Sequence, residues 1–198
     1  MKAIAVEKSG GNRFLKTYTL SEYLLKEDRA VEKHEFYNGQ IILMAGAKFR
    51  HNQISGNIIT AINMAVMSLE KYWVLNSDQK IYIEPKNIIV YPDVVVVCET
   101  LQFWNNREDI IVNPLLIVEI LSKSTRKYDR SDKFMIYQTL PSFQEYILIE
   151  SNEVHVESWF KTTDNTWNKW IANDLQKSIA FRALEVEIPL AAIYRRIF

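Results

Sequence analysis

Two long apolar runs in the middle of the chain each carry one carboxylate, and that limits what the chain can fold into. The first reads Ile88-Ile-Val-Tyr-Pro92-Asp93-Val-Val-Val-Val97, the second Pro114-Leu-Leu-Ile-Val118-Glu119-Ile-Leu121. Continuous β-branched runs of this kind predict strands buried on both faces. A lone charge inside such a strand is expensive, so it needs a partner or a task. Sequential strands are usually neighbours, which lets Asp93 and Glu119 converge on one hard divalent cation such as Mg²⁺ or Mn²⁺. The plain alternative is that Asp93 caps a strand end and Glu119 pairs with a core Arg or Lys.

The rest of the pattern predicts helices and strands in alternation. Thr19-Leu-Ser-Glu22 has capping-box form and opens a short helix. His34 to Met44, with Asn38-Gly39 between apolar runs, reads as a hairpin. Ile54, Ile58, Ala61, Ile62, Ala65 and Leu69 form one stripe of a long amphipathic helix starting near Phe49. Tyr72–Leu75 and Lys80–Glu84 read as strands, Thr100–Asn113 as a polar loop, and Arg130–Leu140 as a helix stopped by Pro141. Glu145–Ile149, Glu153–Phe160, Thr166–Ile171 and Leu184–Ile188 read as later strands, with Pro189 opening a short terminal helix.

This order predicts an α/β fold: a central mixed β-sheet flanked by helices, with an added C-terminal antiparallel hairpin region. Residues 1–16 read as a flexible leader and 17–198 as a single domain, an ordinary size for one core.

Lys and Arg together number 24 and Asp and Glu also 24, so net charge does not drive tight non-specific nucleic-acid binding. Any phosphate contact must come from a local patch. Lys123 to Lys133 holds five basic residues against Asp129 and Asp132, the strongest such run. Cys98 is the single cysteine, so neither an internal disulfide nor a Cys-based zinc site is available. No membrane span or signal-peptide hydrophobic region is visible, which makes a cytoplasmic location the expectation.

Pro92-Asp93 with Glu119-Ile-Leu121 resembles the PD-(D/E)XK nuclease superfamily, the restriction-endonuclease-like fold. More specifically, Tyr91-Pro-Asp93-Val-Val-Val, with Glu119-Ile-Leu-Ser122-Lys-Ser124-Thr125-Arg-Lys-Tyr128-Asp129-Arg-Ser-Asp-Lys133, resembles the Uma-two family of restriction endonucleases. The likeness runs from about Thr17 onward and includes Glu35 through Gly39 and Gln144 through Ile149. It implies a Mg²⁺-dependent endonuclease that hydrolyses DNA phosphodiester bonds, with no small-molecule cofactor, and a homodimer that cuts both strands.

On that resemblance Asp93, Glu119 and the Ile120 carbonyl hold the metal. The superfamily's lysine normally stands two positions after the glutamate, but that position is Leu121 here. Lys133, on the following helix with Tyr137 and Leu140, is the expected substitute, ahead of Lys123 and Lys80. Its task is to stabilise charge on the attacked phosphate, or to orient or deprotonate the attacking water. Glu35 is the expected third acid, its alternative being a surface carboxylate before a hairpin. His51 falls where relatives often carry a histidine, its alternative being a cap or core residue.

Ser122, Ser124, Thr125, Arg126 and Lys127 are expected to bind the substrate's phosphates, against ordinary turn capping. Trp159, Phe160, Trp167 and Trp170 read as core or interface aromatics rather than base-stacking platforms. The rival function is a non-catalytic nucleic-acid-binding or assembly protein on a degenerate nuclease fold, which Leu121 and the neutral net charge favour.

Overall fold

The computed structural model describes residues 16–123 and 125–198. Ser124 and all but the last residue of the expected leader lie outside the described residues. α1 (Leu20–Glu27) starts at the expected box: the Thr19 side chain accepts from the Glu22 N–H while the Glu22 carboxylate accepts from the Thr19 N–H. β1 (His34–Tyr37) and β2 (Gln40–Leu43) flank Asn38 and Gly39, whose φ values of 42° and 96° make the left-handed pair that a twisted hairpin needs. α2 (Phe49–Val66) buries Ile54, Ile58, Ile62 and Val66 along its stripe.

β3 (Tyr72–Asn76), β4 (Lys80–Ile83), β5 (Ile88–Val90) and β6 (Val94–Cys98) follow, then β7 (Phe103–Trp104), β8 (Arg107–Ile111) and β9 (Leu116–Leu121). Two short helices, α3 (Arg126–Arg130) and α4 (Asp132–Tyr137), lead to β10 (Glu145–Glu150), β11 (Val156–Lys161) and β12 (Trp167–Ala172). The hairpin β13 (Ser178–Phe181) and β14 (Val186–Pro189) and the short α5 (Leu190–Ile193) end the chain.

The strands form two six-stranded mixed sheets and the small terminal hairpin. The central sheet runs β12-β11-β10-β9-β6-β3, with β9 and β10 parallel and the other pairs antiparallel. The second runs β2-β1-β5-β4-β8-β7. One face of the central sheet offers Val94, Val96, Leu116, Val118 and Ile120 to α2, α5 and the terminal hairpin. The other offers Val95, Val97, Ile117 and Leu121 to α4 and to Ile81, Ile83, Ile88 and Val90 of the second sheet. α1 covers the far side of that sheet through Tyr23 and Leu24. Among the described residues no helix is long and apolar enough to cross a membrane.

Four local expectations need correction. The run from Ile88 to Val97 is two strands, because Tyr91-Pro92-Asp93 carries the chain from one sheet to the other. Pro92 has no N–H to extend a ladder, so the break falls there. The presumed loop from Thr100 to Asn113 contains the β7–β8 hairpin, turned by Asn105 and Asn106 at φ 48° and 60°. The helix drawn from Arg130 begins at Arg126 and breaks at Ser131, whose hydroxyl donates back to the Lys127 carbonyl at 2.7 Å. A strand at Ser178–Phe181 had no counterpart, and its partner β14 starts at Val186 because Arg182–Leu184 makes a 3₁₀ turn.

Candidate active site

Pro92 ends one sheet, and Asp93 immediately precedes the next. The β6–β9 ladder sets Val94 opposite Val118, so one step further Asp93 faces Glu119. Alternation gives both residues the face of Val95, Ile117 and Leu121 rather than that of Val94 and Val118. The two carboxylates therefore lie on one side of the central sheet, in the seam between it and the second sheet.

Asp93 is fixed from two directions, and both contacts fall on Oδ2. The Ile120 N–H donates to it at 2.7 Å, and His51 Nε2 lies 3.1 Å away from the first turn of α2. Asp93 holds the His51 imidazole above its ordinary pKa; burial opposes this as the largest single influence, and Asp129 adds to the lift.

Glu119 is buried and tied to α4. Lys133 Nζ stands 2.7 Å from its Oε1, and the Tyr137 hydroxyl donates to the same oxygen at 2.9 Å. Lys133 and Tyr137 are one turn apart, so one helical face delivers both groups. Both charged side chains are more than nine-tenths buried. Burial pushes the Glu119 carboxyl well above the usual range; Lys133 pulls it back in part, and Asp93 and Asp129 push it further. Burial lowers the Lys133 pKa, but Glu119, Tyr137, Glu35 and Asp129 together hold it well above the usual lysine value.

Glu35 reaches the same place from the second sheet. Its Oε1 lies 3.7 Å from Lys133 Nζ and takes the Tyr91 N–H at 3.4 Å, while Tyr37 donates to Oε2 at 2.8 Å. Asp129 is an acid that sequence reasoning named only within the basic run and the family-like block. It is buried at 5% exposure, and burial raises its carboxyl pKa against the pull of Lys133. The apolar seam thus gathers Glu35, Asp93, Glu119 and Asp129 about one ammonium and one imidazole.

The other expected residues are distributed less evenly. Lys80 does not join, since it pairs with Asp109 at 2.6 Å. Lys123 and Lys127 are exposed beside the site. Ser122 and Thr125 bond each other at 3.0 Å, and the Ser122 carbonyl accepts the first N–H of α3. Arg126 is engaged with Glu150 at 2.6 Å. Trp159 and Trp167 pack on Phe134 with ring centroids 5.4 and 5.0 Å away, and Trp170 lies under Arg182 at 3.4 Å. These three are committed to internal contacts rather than presented for base stacking; Phe160 is half-buried.

Tyr37, Tyr128 and Tyr137 were missed as site residues. Tyr137 was visible as the i+4 neighbour of Lys133, whereas Tyr37 and Tyr128 stood only as members of the stretches that carry the family resemblance, close to Glu35 and Asp129.

Comparisons with known proteins bear on the fold and the family of this chain. A crystal structure of a "putative nuclease belonging to DUF820" from Anabaena variabilis ATCC 29413 superposes with a TM-score of 0.71. It covers 91% of this chain and 99% of that one at 16% identity, which establishes a shared fold. Two uncharacterized proteins of Synechocystis sp. (strain ATCC 27184 / PCC 6803 / Kazusa) are similar in sequence. The protein sll1609 is 37% identical over 77% of this chain and 85% of its own length; slr1290 is 36% identical over 74% and 75%. The model of the Uma2 family, described as "Putative restriction endonuclease", matches residues 20–191, a span that includes every acid of the seam, Lys133 and His51; the chain belongs to the Uma2 family.

Proposed function

We propose that this chain is a Mg²⁺- or Mn²⁺-dependent endonuclease that hydrolyses DNA phosphodiester bonds at Asp93, Glu119, Lys133 and Glu35. One observation carries the reading: Lys133 arrives from a helix at 2.7 Å from Glu119, on the sheet face where Leu121 replaces the expected lysine. That contact favours the enzyme over a degenerate, purely binding scaffold.

The residues fit a hard divalent cation by the chemistry of their donors. Among the described residues the hydrogen bonds fall on Asp93 Oδ2 and Glu119 Oε1, which leaves Oδ1 and Oε2 for an ion. Within a strand a residue's N–H and C=O point to the same neighbour, so the Ile120 carbonyl is directed toward Asp93 as its N–H is. A buried carboxyl that clings to its proton among other acids marks a position that a cation would neutralise. Among the described residues no three His, Cys, Asp or Glu side chains form a ready-made ligand cage. Magnesium suits this, since it is commonly held by one or two carboxylates while water and phosphate fill the rest. When bound, such an ion supplies Lewis-acid polarisation of the phosphate and a lowered pKa for a coordinated water.

The protein's own groups then have defined tasks. In hydrolysis a water oxygen bonds to phosphorus, one P–O ester bond breaks, and the departing sugar oxygen takes a proton. Lys133, held charged, offsets the negative charge that grows on the phosphate oxygens rather than acting as a base. Glu35, 3.7 Å from that ammonium, is the acid placed to orient the attacking water. Lys123, Lys127 and the Ser122–Thr125 turn beside the site supply contacts to flanking phosphates.

Purified protein is expected to cleave plasmid DNA with Mg²⁺ or Mn²⁺ and not with EDTA. Asp93→Asn is expected to lower the rate at least hundredfold; undiminished cleavage by that variant would refute the site. His51 steadies Asp93 as an outer partner of the metal, so His51→Ala should weaken Mg²⁺ binding about tenfold. Calorimetric titration measures this, and His51→Gln, which can return a donor to Asp93, should recover most of the affinity.

A further inference from the structure

Buried polar atoms without a hydrogen-bond partner are few in a folded chain, and each calls for a ligand, a water or a reason. Among the described residues they are His51 Nδ1, Arg126 Nε, the Tyr128 hydroxyl, Ser142 Oγ and Arg182 Nη1. The first three belong to residues beside the proposed nuclease site, so the unsatisfied groups concentrate there. Tyr128 is the most informative of them, because its polar end is a single hydroxyl whose approach to the Tyr37 hydroxyl does not amount to a well-formed hydrogen bond.

Tyr128 lies on α3, directly before the buried Asp129, and its ring stands edge-on to Tyr37 with centroids 6.2 Å apart. The Tyr37 hydroxyl is close, but its hydrogen goes to Glu35 Oε2. Lys133, Glu35 and Asp129 are the charges that act on the Tyr128 phenol, so it faces the same seam as they do. Burial lifts its pKa to about 12, with Tyr37 and Lys133 opposing, so at neutral pH it is a hydrogen-bond donor and not a phenolate nucleophile. An apolar residue would fill this position without the cost of a buried, unpaired hydroxyl.

From this geometry we infer that Tyr128 is a further catalytic residue, its hydroxyl donating to a non-bridging oxygen of the scissile phosphate. The inference rests on the nuclease reading and deepens it. Lys133 approaches the phosphate as a charge from α4, and Tyr128 as a neutral donor from α3, so the kink at Ser131 presents both to one group. No bond to Tyr128 forms or breaks; it contributes only where an anionic oxygen arrives.

The test compares Tyr128→Phe with Tyr194→Phe, since Tyr194 gives its hydrogen to the Glu150 carbonyl at 3.0 Å and packs on the opposite face of the central sheet. Three readouts are needed: the urea midpoint, cleavage of plasmid DNA with Mg²⁺, and binding of a fluorescein-labelled oligonucleotide in EDTA. Tyr128→Phe is expected to keep the wild-type midpoint, lose at least twentyfold in kcat and bind the oligonucleotide several-fold more weakly. Tyr194→Phe is expected to lower the midpoint and leave cleavage unchanged. Tyr128→Phe that cleaves and binds like wild type overturns the inference, as does a lowered midpoint, which would make the hydroxyl structural. Wild-type protein that cleaves nothing overturns the nuclease reading, while the oligonucleotide arm still decides whether Tyr128 meets a phosphate.

Discussion

Lys133→Met should lose about a thousandfold in DNA cleavage and about 3 kcal/mol of stability, because one ammonium serves both the chemistry and the fold. Methionine fills similar volume, so the loss comes from charge rather than from a cavity. It leaves Glu119 more than nine-tenths buried, with the Tyr137 hydroxyl its one remaining hydrogen-bond partner among the described residues. The carboxyl answers by keeping its proton, which limits the damage. The double variant Glu119→Gln/Lys133→Met removes both charges and should recover most of the stability while cleavage stays lost. Urea denaturation and plasmid cleavage on the same preparations measure the two effects separately. If the double variant is as unstable as the sum of the singles, the pair is not coupled and this account of the seam fails.

A second large effect concerns acid stability and lies behind the site. Glu157 on β11 is bonded by Arg130 at 2.8 Å, Lys169 at 2.8 Å and His155 at 3.2 Å. Burial favours its neutral form, but Lys169 and Arg130 outweigh that and hold its pKa down to about 2, against an ordinary 4.5. A depressed folded-state pKa gives stability that is present above the unfolded value and disappears as pH falls through the folded one. Wild type should therefore lose about 3 kcal/mol between pH 5 and pH 2 from this group alone. Glu157 is only 5% exposed, so solvent screening trims this little. Glu157→Gln should be less stable at pH 7 and should lose correspondingly less on acidification. Parallel acid-unfolding curves for the two proteins would count against the network. Arg130 also bonds Glu150 at 2.9 Å, so the same cluster ties α3, and with it Tyr128 and Asp129, to β10 and β11.

Much of this architecture could be read from residue order because local rules carried it. The capping box at Thr19, the Asn38-Gly39 turn and the isoleucine stripe of α2 each act within one turn of chain or one strand pair. The β7–β8 hairpin escaped notice because Asn105-Asn106 lacks the glycine that usually announces such a turn. The break at Ser131 escaped because Lys133, Ile136 and Tyr137 keep helical spacing beyond it.

By itself the sequence determined that Asp93 and Glu119 would be carried to the central strands: a carboxylate set within β-branched residues goes where its strand goes. Only tertiary structure decided their company. Lys133, Glu35, His51 and Asp129 reach them from four separate segments, and no spacing rule links those segments. The physical reason is range: hydrogen-bonded turns and apolar periodicity act over a few residues, whereas the field inside the seam is the sum of charges that chain folding alone brings together.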